Sequence, residues 1–333
     1  MSLNSFLRMA AISPLLSLLP NVAPNVKMAG EVVRLAILVE AGEKGGWAVG
    51  ELRRLISSES SLEIELLDEE LSRVAGQGTG YDGRLNLTLA EARGLGLSLG
   101  TDYFILGQVI NTPRRQRDGK VRYEIHIPLF LVETRTGQLR RFHQVEAVGA
   151  DAAEAEQDLK SRLAAGWMAL ARVIAASPLP AGRAPEFDPP VLTEIYTDDE
   201  TGSTSPDGKG SSEIRPPRFH RHLKPDYPEM AALAAVEATV ELTAVFGADG
   251  RIDQIEIQRW AGFGLDESAV ATVRQLRFDP ATQNGHPVSF RGLVRYNFRR
   301  PTPQAIRNSA RGREEIERLK RSLQDLLKPK PVP

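Results

Sequence analysis

The sequence predicts an α+β chain of two domains: an N-terminal α/β layer domain with a mixed sheet, and a C-terminal domain of one three-stranded antiparallel sheet and two helices, trailed by an amphipathic helix. Three observations predict it. Buried-strand patterns alternate with helical stripes over residues 31–176, all periodicity stops in a Pro/Gly/Ser-rich stretch over 177–216, and a short helix–hairpin–helix–strand order fills 217–300.

Along the chain, residues 1–30 come first: Arg8 precedes an apolar run, Met9 to Leu19, that stops at Pro20. Such a run is shorter than the about 20 apolar residues a membrane span needs, and it reads as a signal segment for export. Val32 to Glu40 is a nearly unbroken β-branched strand ending at Gly42, and a helix follows from Trp47 to Ser58. Leu62 to Leu67 alternates as a strand. Asp68, Glu69 and Glu70 read as a charged helix start, and Thr88 with Glu91 caps a helix running to Leu99. Tyr103 to Ile110 is a further buried strand. Val121 to Leu131 carries apolar residues at odd positions against Arg122, Glu124 and His126, the pattern of a sheet strand with one wet face. Thr136-Gly137 turns it into a returning strand, Gln138 to Val148, and Pro128 points to an edge or a bulge because it lacks a ladder donor. Asp151 with Glu154 then opens a helix whose stripe is Leu159, Leu163, Trp167, Leu170 and Ile174.

Residues 177–216 hold Pro178, Pro180, Pro185, Pro189, Pro190, Pro206 and Pro216 with a Gly/Ser/Asp cluster, the composition of a linker. Stretched at about 3.1 Å per residue, it could part the domains by roughly 100 Å. Beyond it, Pro228 launches a short helix, Glu229 to Ala235; Ala238 to Phe246 alternates; Asp249-Gly250 turns; and Arg251 to Trp260 returns with a phase slip near Asp253 that predicts a bulge. Leu265, Ala269, Val273 and Leu276 share a helical stripe, and Val288, Phe290, Val294, Tyr296 and Phe298 face one side of a last strand that begins at Gly285, opposite Ser289, Arg291, Arg295 and Asn297. The tail, 301–333, places Ile316, Leu319, Leu323 and Leu326 on one stripe over Glu314 to Leu327, an amphipathic helix.

Tyr227-Pro228, Glu237, Asp249-Gly250-Arg251, Leu265-Asp266-Glu267-Ser268-Ala269, Arg277-Phe278, Pro280-Ala281 and Gly285-His286-Pro287-Val288 follow one another, in order and spacing, as in the TonB C-terminal family, which residues 217–298 resemble over their whole length. The resemblance implies a periplasmic module that adds an extended receptor segment, the TonB box, beside its last strand. The implied contacts are Asp226, Tyr227 and Pro228 together with Ser289, Arg291, Leu293, Val294, Arg295, Tyr296 and Asn297. The chain departs from the best-known members at Asp226, where they carry Gln, and residues 1–30 do not supply their membrane helix. The implied partners are TonB-dependent outer-membrane receptors, with inner-membrane motor subunits reached through another protein. An open sheet edge independently suits such a partner, because its unpaired N–H and C=O groups accept a foreign strand. Gly100, Asp102, Tyr103 and Gly107, followed by Thr136-Gly137, give residues 31–176 a looser resemblance to TolB N-terminal-like and CsgG-like envelope domains.

Composition narrows the remaining choices. Lys+Arg of 42 against Asp+Glu of 43 offers no global attraction to nucleic acid, and the chain has no cysteine for disulfides or thiolate chemistry. Five histidines include no His-x-x-x-His pair, and no Walker loop, Rossmann fingerprint or Gly-x-Ser-x-Gly elbow occurs, so neither metal, cofactor nor enzymatic activity is expected. Among aromatic residues, Tyr227, Trp260, Phe290, Tyr296 and Phe298 are candidates for partner contact or for the core of a small sheet. Against receptor docking stands a second reading, an envelope scaffold that reuses the same fold for other protein or peptidoglycan contacts.

Overall fold

The computed structural model describes residues 32–40, 46–115, 121–177, 193–197 and 214–300. The leader expected over 1–30 and the helix expected over 314–327 lie outside these residues.

The N-terminal unit comprises β1 (Val33–Glu40), α1 (Gly46–Ser57), β2 (Ile64–Leu66), α2 (Glu69–Gly78), α3 (Leu89–Leu99), β3 (Tyr103–Gln108), β4 (Ile110–Arg115), β5 (Val121–Glu133), β6 (Leu139–Gly149) and α4 (Ala152–Ala176). Its sheet is mixed: β1 runs parallel to β2 and β3, while β5 pairs antiparallel with β3, β4 and β6. The predicted strand from Tyr103 to Ile110 is two strands, broken at Val109, that share one side of the long β5. This break explains Pro128. It sits in a central strand rather than at an edge, and the N–H it lacks coincides with the gap between β3 and β4. Helix starts follow their caps, with the Thr88–Glu91 capping box on α3 and the Asp151 side chain accepting from the Glu154 N–H on α4.

One face of this sheet packs Leu35, Ile105, Leu129 and Leu131 against Leu52, Leu163 and Trp167 of α1 and α4. The other face is not wet as the alternation of β5 suggests. From Ile125 to Glu133 every residue of β5 is buried, because Phe130 and Val132 join a second apolar cluster that runs through Leu95 and Leu99 of α3 into the C-terminal unit.

That unit follows β7 (Thr193–Thr197), β8 (Ile214–Arg215) and β9 (Arg218–Phe219), and comprises α5 (Glu229–Leu233), β10 (Ala238–Phe246), β11 (Ile252–Arg259), α6 (Leu265–Val273), β12 (Phe278–Asp279), β13 (Ala281–Gln283), β14 (His286–Val288) and β15 (Phe290–Phe298). The predicted antiparallel trio is present as β11-β10-β15, and β7 joins β15 as a fourth, parallel strand. Thus the stretch read as a linker holds a sheet strand. The bulge expected near Asp253 falls at Gln254 and Ile255, which lie between the pairs Val245–Asp253 and Thr243–Glu256, with Gln254 at φ 46°.

The two units are packed together rather than parted by the linker. Trp260, Ala261 and Phe263, between β11 and α6, lie in the same cluster as Phe104, Phe130 and Val132. The Phe130 ring stands 5.5 Å from Trp260 and 5.9 Å from Phe263, and Phe142 stands 4.7 Å from Phe263. Polar groups close the seam around this aromatic centre. The Asn86 amide donates to the carbonyls of Thr239 (2.9 Å) and Trp260 (2.6 Å) and accepts from the Thr239 N–H, while the Trp260 indole N–H donates to Gly137 O at 3.1 Å.

Candidate strand-docking edge

The edge that matters is the side of β15 turned away from β10. Its backbone is set by the nine-residue register with β10, from Ala238–Phe298 to Phe246–Phe290, so its alternation is fixed. Gly292, Val294, Tyr296 and Phe298 turn inward, and Val294 and Tyr296 are fully buried. Their side chains fill the core, so Val294 and Tyr296 can meet another strand only through their backbone.

The opposite face of β15 is occupied by its own sheet. Arg291 donates to Glu256 at 3.0 Å, Arg295 Nε to Glu241 at 3.0 Å, and the Thr239 hydroxyl to the Asn297 side-chain oxygen at 2.9 Å. Glu241 also faces Arg259 at 3.6 Å, which makes it the centre of a small charged row across β11, β10 and β15. The three polar side chains expected to read a partner are therefore engaged in cross-strand pairs. Leu293 shares that face and is buried at 9% exposure, whereas Ser289 is exposed in the one-residue gap between β14 and β15.

Of Asp226, Tyr227 and Pro228, Tyr227 comes next to the end of β15. The Tyr227 ring stands 6.4 Å from Phe298, and its hydroxyl donates to the carbonyls of Ala231 and Val236, pinning the five-residue α5 to the sheet. Burial raises the Tyr227 phenol, so it stays a neutral donor. Pro228 supplies the extended N-cap of α5, and exposed Asp226 accepts the Ser268 hydroxyl on its carbonyl at 2.6 Å. All three positions have structural duties; the exposed Asp226 carboxylate is what remains available.

The unpaired edge expected of β15 is not bare. β7 lies along it in parallel register, with Thr193 opposite Gly292, Glu194 opposite Leu293, Tyr196 opposite Val294 and Thr197 opposite Arg295. Sequence reading passed over this strand because the prolines on either side dominate the composition, yet Thr-Glu-Ile-Tyr-Thr carries the β-branched and aromatic residues that mark a strand.

The other feature without a local signal is the loop that presents Trp260 and Phe263. Gly262, Phe263 and Gly264 all have positive φ, at 71°, 54° and 78°. A left-handed Phe is costly unless held, and the buried Asp266 carboxylate holds the loop by accepting the Ala261 and Gly262 N–H groups at 2.9 and 2.8 Å. Burial raises the Asp266 carboxyl to about 7, against the two N–H bonds that pull it down. A Cβ on Gly262 would stand 2.6 Å from Phe130 and 2.8 Å from Phe142, so glycine is required there by both φ and space.

Residues 224–299 match the Gram-negative bacterial TonB protein C-terminal family. Over those residues the C-terminal unit is a TonB-like envelope protein-interaction module. The chain is similar to the solved TonB C-terminal domain of Pseudomonas aeruginosa, at 25% identity over 25% of this chain and 85% of that one, with a TM-score of 0.23. It is also similar to a hypothetical protein of Chlamydia trachomatis (12% identity, 43% of this chain, 99% of that chain, TM-score 0.31) and to E. coli LpoB (14% identity, 35% of this chain, 57% of that chain, TM-score 0.26). No curated protein matches the chain. Among the described residues no helix is long and apolar enough to cross a membrane.

Proposed function

We propose, starting from the match of residues 224–299 to the TonB C-terminal family, that this protein is an exported, periplasmic binding module. It captures an extended segment of an outer-membrane receptor, the TonB box, along β15. The observation that carries this reading is β7 itself, an extended five-residue segment already laid on that edge by main-chain pairing. Such an edge recognises backbone first, and pockets for alternate side chains add selectivity. Coupling to inner-membrane motor subunits would then pass through another protein.

Receptor-derived peptides test the reading without altering the protein. Titration of the chain with TonB-box peptides should give saturable binding, and the same peptides N-methylated at alternate amides should bind at least tenfold more weakly, since they cannot donate to a ladder. Equal binding of both forms, or none by the intact chain and by a chain with Thr193–Thr197 replaced, would rule strand docking out.

One observation favours the scaffold reading instead. The seam buries Trp260 and Phe263 of the C-terminal unit against the N-terminal sheet, which makes one continuous two-part body suited to holding other envelope components in fixed relation. In-cell cross-linking separates the two, because a scaffold would recover assembly partners and a docking module receptors.

A further inference from the structure

We infer that β7 is a built-in competitor for the β15 edge, a latch from the chain's own intervening segment that a partner strand must displace. This rests on the strand-docking reading above and adds its regulation. Every backbone pair β7 makes is with Gly292 to Arg295, the middle of the edge, so no second strand can pair there while it is in place.

Three features make the latch displaceable. It is short, at five residues against the nine of β15. Its register slips between Leu293 and Val294, leaving Ile195 without an opposite residue, so the ladder is interrupted in the middle. It is also flanked in sequence by 15 residues, 178–192, on one side and 16 residues, 198–213, on the other. An uninterrupted partner strand can form a more regular ladder on the same groups.

Tethering makes even a poor strand effective, because an intramolecular partner acts at an effective concentration of about millimolar. A partner then sees only the open fraction of the edge, and its apparent affinity falls by that fraction. With the latch closed nine-tenths of the time the weakening is about tenfold. The direction of β7 also defines the competitor: it must run parallel to β15, as Thr193 to Thr197 runs beside Gly292 to Arg295.

The test compares the full chain with a variant in which Thr193–Thr197 is replaced by Gly-Ser-Gly-Ser-Gly, using two readouts. Amide hydrogen exchange should accelerate in the variant at the alternate amides between Gly292 and Arg295 that face β7, while those that face β10 and the amides of β10 itself stay protected. A synthetic peptide of residues 191–199, added in trans, should bind the variant about tenfold or more tightly than the intact chain. Unchanged exchange at Gly292 to Arg295 overturns the latch and leaves strand docking standing. Accelerated exchange with no binding of the 191–199 peptide or of TonB-box peptides overturns the docking reading, and the latch with it. Equal affinity of the peptide for both chains, with accelerated exchange, also overturns the latch, since the edge would then be open to partners in either case.

Discussion

The C-terminal unit makes two contacts of opposite character, one at the seam with the N-terminal sheet and one along β15 with β7. The seam is made of side chains that fit one arrangement: four aromatic rings, a glycine with no room for a Cβ, and an Asn86 amide that satisfies three backbone groups. The edge is made of main chain, which any extended sequence can copy. Burying one large apolar side chain contributes about 1.5–3 kcal/mol, and one net hydrogen bond only about 0.5–1.5 kcal/mol. The seam is therefore the fixed contact and the edge the exchangeable one, and a module that must bind and release partners needs both.

The difference is most exposed at Phe130. It is fully buried, belongs to β5 of one unit and stacks on Trp260 and Phe263 of the other. Phe130→Ala should cost about 3–5 kcal/mol in denaturant unfolding and shift Trp260 emission to longer wavelength as the seam loosens. A loss below about 1 kcal/mol would mean that the seam is not a structural contact.

Asp266 gives the seam a pH dependence. Its carboxyl is held near 7 when folded, against the ordinary 3.8, so between about pH 4 and 7 the folded state binds a proton that the unfolded state lacks. Stability from this group is complete below about pH 4 and is lost as pH rises through about 7, by an amount on the order of 4 kcal/mol. Carboxylates with lowered pKa, Glu51, Glu70 and Asp82 among them, act in the opposite sense but only in the acid range below about pH 4. Burial lowers the His143 imidazole, which acts in the opposite sense inside this window, so Asp266 is read by difference: from pH 5 to 7 the melting temperature of Asp266→Asn should fall less, or rise more, than that of wild type. The same slope in both proteins would remove Asp266 as a source of it.

Much of the C-terminal fold is legible in sequence because its signals are local. The Asp249-Gly250 turn, the alternation from Ala238 to Phe246 and the stripe through Leu265, Ala269 and Val273 each act within a few residues. The seam has no such signal, since Asn86 meets Thr239 across 153 positions and Trp260 meets Gly137 across 123. Its one trace is Phe130 and Val132 standing on the face of β5 that Arg122 and Glu124 mark as polar. At the edge, local pattern assigned each residue of β15 to a face but not to a duty. Nothing within the strand shows that Arg291, Arg295 and Asn297 are taken by Glu256, Glu241 and Thr239.

Asn86 tests whether the polar frame of the seam matters beside its rings. Asn86→Ala leaves the carbonyls of Thr239 and Trp260 and the Thr239 N–H without their partner, at a cost of about 2–3 kcal/mol. The melting temperature should fall while far-ultraviolet circular dichroism stays native. Asn86→Asp, which keeps only the acceptor to the Thr239 N–H, should be at least as damaging. If both variants melt as wild type does, water satisfies these groups and the rings alone fix the seam.

The smallest effect belongs to the edge, and its smallness is the point. Replacing Thr193–Thr197 by Gly-Ser-Gly-Ser-Gly removes four backbone pairings from one side of β15 and leaves the nine pairs with β10 untouched. Lost hydrogen bonds on an edge strand are exchanged for bonds to water, and the chain recovers the entropy of ordering five residues, which offsets the loss. The two terms nearly cancel, so the unfolding midpoint in urea should move by less than the equivalent of about 1 kcal/mol. A loss as large as that of Phe130→Ala would make β7 part of the fixed body, and the contrast between a permanent seam and an exchangeable edge would fail.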